Sequence, residues 1–299
     1  MVERILFAQH GMGDTHHAMA RLAAVVAPPR TKVVPLSMNF LLTFWDMEPL
    51  IGQVEQGAAA IVRQFPTLPL RILATSLGGV VWLEVLARQP QWWERVESLV
   101  LLGVPVGGAD LARILDPLGW GLGIAKGLGQ NRRPLAEQVS ARIPTLVVAS
   151  DLGQGEDGLI PVESTKMAYA HWVCLAGVHH EALRWHPQVV EVIREFWSQP
   201  RQPVPAPAPS RLQGLIRHFR GVPGITDTSY RYFARAGCVL TFPDQTTVRA
   251  WTHPLGVDHV FVGNHRGECE YAGFVGWLHR RELAQAVEQS RRLYFDQNM

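Results

Sequence analysis

Residues 70 to 80 read Leu70-Arg71-Ile72-Leu73-Ala74-Thr75-Ser76-Leu77-Gly78-Gly79-Val80, and this stretch decides the fold. The apolar run predicts a buried β-strand, and the residues after Ser76 fit a helix. Ser76 is therefore expected on a sharp turn between the two, with Ala74 and Gly78 two places to either side. Small residues at those positions avoid clashes across such a turn. The alternative is that Ser76 only caps the helix, which is a common role for serine.

A second strand that ends in a turn lies at the start of the chain, where Arg4 to Gln9 is followed by His10-Gly11-Met12-Gly13. A serine nucleophile needs backbone N–H groups that stabilise the oxyanion formed during attack. The N–H groups of this turn and of the residue that follows Ser76 are candidates for that role. Met12 and Leu77 are the predicted donors. A glycine-rich turn capped by Asp14 is the alternative, and it is compatible with this role.

A serine hydroxyl becomes a good nucleophile when a histidine takes its proton and a carboxylate orients that histidine. The strand predicted over residues 143 to 150 runs into a loop that carries Asp151 and Asp157. Asp157, in Asp-Gly-Leu-Ile-Pro, is the predicted orienting acid. Asp151 lies nearer to the end of the strand and stays open as the alternative. The other carboxylates of this loop fit solvated turn positions.

The base is expected in the loop after the next strand, residues 171 to 176, which leads into Gly177-Val178-His179-His180. A helical pattern follows from about residue 187. The pattern Gly-x-x-His before a helix favours His180, and His179 stays open. A metal site with His186 is a third interpretation, but no Cys or His pair has the usual ligand spacing. No metal and no cofactor are predicted.

Residues 1 to 198 resemble the lipase- and esterase-like α/β-hydrolases, and the resemblance covers about two-thirds of the chain. It rests on the four segments above, in their order along the chain, together with Gly103-Val104-Pro105. Ala74 departs from the glycine that usually stands there. More loosely, the chain is similar to uncharacterised hydrolases of cyanobacteria and plastids. The resemblance implies a catalytic triad of Ser76, Asp157 and His180, with oxyanion donors in the loop after the first strand and at the residue after the serine, here Met12 and Leu77. It also implies an acyl ester or lipid as substrate.

Alternating strand and helix patterns up to residue 198 predict an α/β fold with a mainly parallel sheet of about six strands. Residues 199 to 210 are rich in proline and predict a semi-rigid linker. Short strands and two helices in residues 211 to 299 predict a small α+β domain. Its eleven arginines stand against eight acids, too small an excess to predict nucleic-acid binding. A protein or membrane surface is the expected class of partner for this domain.

The composition says more about the cellular compartment of the protein than about its substrate. The net charge is +2, so no general attraction to polyanions is expected. The three cysteines are scattered along the sequence, and no apolar run reaches the length of a membrane span. The first predicted strand begins at Arg4, so no signal peptide is expected. A reduced, cytoplasmic protein is therefore predicted.

Two apolar segments, residues 107 to 133 and 38 to 45, are candidates for a lid and a pocket wall over the acyl site. An ordinary core helix is the alternative for the first, and a surface that meets a membrane or partner is the alternative for both. The sequence thus predicts a serine hydrolase that cleaves an acyl ester; thioester or amide cleavage stays open because the same triad serves both. The alternative from another class is a catalytically silent scaffold whose C-terminal domain binds a partner.

Overall fold

The computed structural model describes residues 1–39, 46–108, 129–199 and 201–294. The chain forms two compact units, Met1–Ala206 and Pro207–Met299. Within the described ranges, no helix has the length and apolar character that crossing a membrane demands.

The first unit is built on six strands, which are β1 (Arg4–Gln9), β2 (Thr31–Leu36), β3 (Leu70–Thr75), β4 (Val96–Leu102), β5 (Thr145–Asp151) and β6 (His171–Ala176). They form one sheet in the order β2-β1-β3-β4-β5-β6, and their pairings are all parallel. The central strands are near-continuous apolar runs, as expected when helices cover both faces of a parallel sheet.

The helices of this unit are α1 (His16–Val26), α2 (Met47–Gln64), α3 (Leu77–Arg88), α4 (Arg133–Ser140), α5 (Val162–Thr165) and α6 (Pro187–Ser198), with 3-10 helices at Pro90–Arg95 and His180–Arg184. Apolar residues of α2, α3 and α4 pack with one face of the sheet. Those of α1 and α6 pack with the other face. The sheet therefore has a separate hydrophobic core on each side.

Nine of the twelve residues of helix α3 are buried. Its Trp82 is fully buried, and the ring centroid lies 5.2 Å from that of Phe7 on β1. The turn between β3 and α3 is thus held at both ends by packed structure. In open α/β sheets, ligands bind outside the carboxyl ends of the strands, which is the edge where this turn lies.

The described residues of the second unit form a five-stranded antiparallel sheet with two α-helices and with 3-10 helices at Phe233–Arg235 and Trp277–His279. Its strands are β7 (Thr226–Asp227), β8 (Gly237–Thr241), β9 (Thr247–Thr252), β10 (Asp258–Gly263) and β11 (Cys269–Val275), in the order β7-β11-β10-β9-β8. Helices α7 (Arg211–Arg220) and α8 (Arg280–Tyr294) contribute Phe219 and Leu283 to one core with Val260 and Tyr271 of the sheet.

The predicted fold class is confirmed, both for the parallel α/β unit and for the small α+β unit. The sequence did not indicate β7, because two residues are too few to show a strand's alternation. Residues 109–128 of the predicted lid and residues 40–45 of the second apolar segment lie outside the described residues.

Three acids of the second unit have local structural partners. Asp244 pairs with Arg211 at 2.9 Å, and Asp258 pairs with Arg280 at 2.7 Å. Glu268 accepts a hydrogen bond from Asn264 at 2.9 Å. These carboxylates stabilise turns and helix positions.

Cys174, on β6, is expected to resist alkylation. Burial, together with the nearby charge of Asp151, raises the pKa of its thiol to about 11, so little thiolate forms at neutral pH. Cys238 is exposed and is expected to react first. Peptide mapping after brief iodoacetamide treatment at pH 8 measures the order, with Cys238→Ser as the control; fast labelling of Cys174 in the folded protein would contradict this prediction.

Candidate active site

Ser76 has the strained backbone that the sequence predicts for it. Its φ is +50° and its ψ is −129°, outside the regions that residues with a side chain normally occupy. Such a conformation costs about 1–3 kcal/mol and persists only when the surroundings enforce it. Here the Ser76 N–H donates to the carbonyl of Leu102 at 2.9 Å, and the Ser76 carbonyl accepts from Gly79 N at 3.0 Å.

The small residues on either side of Ser76 have different reasons for being small. A Cβ on Gly78 would lie 2.3 Å from the carbonyl oxygen of His10, so no side chain fits there. Ala74 is fully buried, and its methyl group packs within the core on the α3 side of the sheet. The departure from glycine at Ala74 is therefore accommodated by core packing.

His180 and the buried Asp157 form a hydrogen-bonded pair. The Nδ1 of His180 lies 2.7 Å from Oδ2 of Asp157, and their side chains are 11% and 2% exposed. The other carboxylate oxygen of Asp157 accepts from the backbone N–H groups of Leu159 at 3.0 Å and Ile160 at 2.7 Å. These bonds occupy Oδ1 and fix the plane of the carboxylate, so that Oδ2 faces the imidazole.

The backbone also ties this pair together, since the His180 N–H donates to the Asp157 carbonyl at 2.9 Å. Gly103, with φ +57°, lies against the ring, and a Cβ there would come within 2.9 Å of His180 Cε1. The orientation of the imidazole is thus fixed by its carboxylate, its own backbone and a glycine.

The alternatives to these residues have other surroundings. His179 is exposed. Asp151 closes its own turn by accepting from Gly153 N at 2.7 Å and Gly155 N at 2.8 Å. Among the described residues, no three His, Cys, Asp or Glu side chains, His186 included, are arranged to hold a metal ion.

The two predicted oxyanion donors belong to segments that adjoin Ser76. Leu77 is the first residue of α3, where N–H groups lack a partner within the helix and the helix dipole is positive. Met12 follows Gly11, and a Cβ on Gly11 would lie 3.0 Å from Ser76 Cβ. The loop after β1 can approach Ser76 this closely because residue 11 has no side chain.

His10 fixes the orientation of the peptide that carries the Met12 N–H. Met38 N donates to its Nε2 at 2.9 Å, so the hydrogen resides on Nδ1, which lies 2.9 Å from the carbonyl of Gly11. The Gly11 carbonyl and the Met12 N–H belong to one planar trans peptide and point in opposite directions. The bond from His10 therefore directs the Met12 N–H away from His10. Burial lowers the pKa of His10, which favours this neutral form.

Ser76, His180, Gly11 and Met12 line one cavity of about 100 Å³. Asp14 and Arg184 also line it, and they form an ion pair. Asp14 belongs to the loop after β1, and Arg184 ends the 3-10 helix that begins at His180. The pair thus ties the loop with Met12 to the segment with the histidine.

Solved structures similar to this chain include lipases and esterases. The mature Bacillus licheniformis lipase BlEst2 matches with a TM-score of 0.51 and 15% identity, over 65% of this chain and 91% of that chain. The Exiguobacterium antarcticum esterase EaEST matches with a TM-score of 0.50 and 11% identity, over 66% of this chain and 93% of that one. The first unit has an α/β-hydrolase fold.

A larger share of this chain aligns with another form of the same lipase. The propeptide form of BlEst2 matches with a TM-score of 0.52 and 13% identity, over 91% of this chain and 71% of that chain. No protein-family model matches the sequence, and no curated protein resembles it significantly in sequence. At these identities the likeness establishes the α/β-hydrolase fold, while the chemistry has to be argued from the site.

Three supports of this hydrolase-fold site were not predicted from the sequence. They are the His10 bond to Gly11, the Asp14–Arg184 ion pair and the backbone bond from His180 to Asp157. The role of His10 could have been found from its position beside Gly11. A histidine that is buried next to a glycine at a close backbone contact needs polar partners. The other two join residues far apart in sequence, and no local pattern indicates them.

Acid is expected to destabilise the protein partly through His10. Its folded-state pKa is lowered, whereas an unfolded histidine binds a proton near pH ~6.5. Below that pH the unfolded state holds more protons, so the free energy of unfolding falls as the pH falls, by at most about 1.4 kcal/mol per pH unit. Urea denaturation between pH 8 and pH 5 measures this slope. The His10→Gln variant is expected to show a shallower slope, and an unchanged slope would contradict the assignment.

Proposed function

We propose that this protein is a serine hydrolase that cleaves an acyl ester through Ser76, His180 and Asp157. The observation that carries the proposal is the shared cavity, where a serine on a strained turn and a histidine bound to a buried carboxylate both line the wall. A backbone at positive φ that many contacts enforce is characteristic of a functional residue. The fold of lipases and esterases supports ester cleavage in particular.

The tautomer of His180 sets its role as base. Because Nδ1 bears the hydrogen that faces Asp157 Oδ2, Nε2 keeps its lone pair and can accept the Ser76 proton. The Ser76 oxygen then bonds to the ester carbonyl carbon, and the carbonyl oxygen becomes an oxyanion. Asp157 stabilises the imidazolium that results and stays ionised.

Collapse of this intermediate breaks the bond to the alcohol, and His180 returns its proton to the leaving oxygen. An acyl group now esterifies Ser76. Water attacks that ester in the same way, with His180 as base, and the acid departs. In both steps the N–H groups of Met12 and Leu77 are the proposed donors to the oxyanion.

The described part of the site favours small acyl groups. Its cavity is about 100 Å³, whereas pockets for larger ligands run to roughly 300–1,000 Å³. Esters with acetyl or butyryl groups are therefore expected to react faster than those with palmitoyl groups.

A panel of p-nitrophenyl esters of graded acyl length tests both the reaction and this preference. Wild-type protein is expected to hydrolyse the short esters with a kcat/KM that falls as the chain lengthens. A matched thioester and anilide of the best acyl group separate ester hydrolysis from thioesterase and amidase activity. No turnover of any substrate would favour the catalytically silent scaffold.

A further inference from the structure

A second cavity of about 380 Å³ lies at the edge of the parallel sheet opposite to Ser76. Arg4 begins β1, Arg71 is the second residue of β3, and Ser98 is the third residue of β4. Phe196 and Trp197 of α6 and Arg201 complete much of its wall. At about 3.3 Å per residue, β3 separates Arg71 from Ser76 by roughly 17 Å, so this cavity is separate from the catalytic one.

Positive charge dominates the lining, because it holds three guanidinium groups and one carboxylate, that of Glu97. Glu97 Oε2 accepts from Arg71 Nε at 2.9 Å and lies 3.5 Å from Arg4 Nε. Arg201 donates to the backbone carbonyl of Glu195 at 3.4 Å. The cavity walls therefore carry more cationic than anionic side chains.

Each of these arginines has one buried nitrogen that makes no hydrogen bond to the described residues, although Arg4 Nε is within ion-pair distance of Glu97 Oε2, at 3.5 Å. The three atoms are Arg4 Nε, Arg71 Nη1 and Arg201 Nε. Buried donors are nearly always paired in native proteins. Three such donors around one cavity indicate a ligand that accepts several hydrogen bonds.

The cavity is also built to hold its cations in place. The guanidinium of Arg71 stacks on the ring of Trp197 at 5.0 Å, and the indole N–H of Trp197 donates to Ser98 Oγ at 3.0 Å. Since that oxygen is an acceptor here, its own hydroxyl hydrogen can serve a ligand. Burial lowers the pKa of Arg71 despite its hydrogen bond to Glu97, which means that Glu97 does not fully offset the cost of burying this cation. A bound anion would stabilise the charged form of Arg71 further.

We propose that this cavity binds the phosphate group of a small phosphomonoester. A phosphomonoester carries about −1.5 to −2 charges at pH 7 and has three acceptor oxygens, which match the excess cations and the free donors. Arginine binds phosphate through its planar array of N–H groups. The cavity volume leaves space beside the phosphate for the organic part of the ligand.

Isothermal titration of the full chain with inorganic phosphate, glycerol 2-phosphate and acetate, at constant ionic strength, tests the proposal. Both phosphates are expected to bind, the ester more tightly, and acetate at least tenfold more weakly than either. Equal affinity for the ester and inorganic phosphate would overturn the part of the proposal that concerns the ester. An absence of binding by both phosphates would overturn it entirely.

Variants locate the binding. Arg71→Gln and Arg201→Gln are each expected to weaken glycerol 2-phosphate binding at least tenfold, whereas Arg63→Gln, an exposed arginine at the end of α2, is expected to leave it unchanged. Equal weakening by Arg63→Gln would indicate non-specific ion binding and overturn the site. Arg201 lies outside helices and strands, so its replacement is expected to disturb folding less than that of Arg71 on β3. If Arg71→Gln does not fold, Arg201→Gln alone tests where the phosphate binds. The Ser76→Ala variant is expected to bind as the wild type does, which makes this test independent of the proposed hydrolysis.

Discussion

Replacing Ser76 by alanine is expected to lower kcat/KM for the best ester by at least ~10³-fold, the scale on which removal of a triad member acts. The methyl group keeps the turn between β3 and α3 but has no oxygen to bond to the carbonyl carbon. The remaining rate would come from the oxyanion donors and from binding alone. Initial rates with the most reactive p-nitrophenyl ester measure the loss.

Ser140→Ala is the matched control for this variant. Ser140 is fully buried, and its hydroxyl donates to the carbonyl of Ala168 at 2.8 Å, away from the catalytic cavity. Its loss is expected to lower the melting temperature and to leave kcat within a few-fold of the wild-type value, since such a bond contributes about 0.5–1.5 kcal/mol. Equal loss of activity in both variants would attribute the effect to instability.

Asp157→Asn is expected to lower kcat by roughly 10³- to 10⁴-fold. The amide oxygen can still accept from Leu159 N and Ile160 N, so the turn is preserved. The amide nitrogen then faces His180 Nδ1 and donates to it, which moves the ring hydrogen to Nε2. A histidine in that tautomer cannot accept the Ser76 proton. Steady-state kinetics should show a fall in kcat with a much smaller change in KM.

Asp151→Asn discriminates between the two candidate acids. Asp151 accepts two backbone N–H groups in its own turn, and an asparagine oxygen can do the same. This variant is expected to keep most of the wild-type kcat. A large loss in Asp151→Asn, with activity retained in Asp157→Asn, would reverse the assignment.

The sequence predicts most of the framework because each element carries its own periodicity. The helix predicted after Ser76 corresponds to α3, which begins at Leu77, and the helical pattern from about residue 187 corresponds to α6, which begins at Pro187. Long apolar strands between such helices leave few arrangements other than a parallel sheet with two covered faces. Strand β7 and the short helix α5 lie below the length at which periodicity can be read.

The site is less accessible to sequence reasoning, because its geometry depends on contacts between distant segments. The pattern Asp-Gly-Leu-Ile-Pro favours Asp157. Its orientation, however, depends on the N–H groups of Leu159 and Ile160, which donate to Oδ1 and leave Oδ2 to His180. The tether from His10 to Gly11 likewise depends on Met38, twenty-eight residues away, which fixes the tautomer. The catalytic roles, the cytoplasmic location and the partner of the second unit stay predictions.

The central claim is that Ser76 is an activated nucleophile, and labelling with a fluorophosphonate tests it most directly. This reagent bonds to a serine oxygen only when a base removes its proton and an oxyanion site stabilises the product. Wild-type protein and the Ser76→Ala variant are labelled, digested and mapped by mass spectrometry. We predict a single modified peptide that contains Ser76, absent from the variant. A wild-type protein that hydrolyses no ester and takes up no label, or a label that persists in Ser76→Ala, would contradict the account.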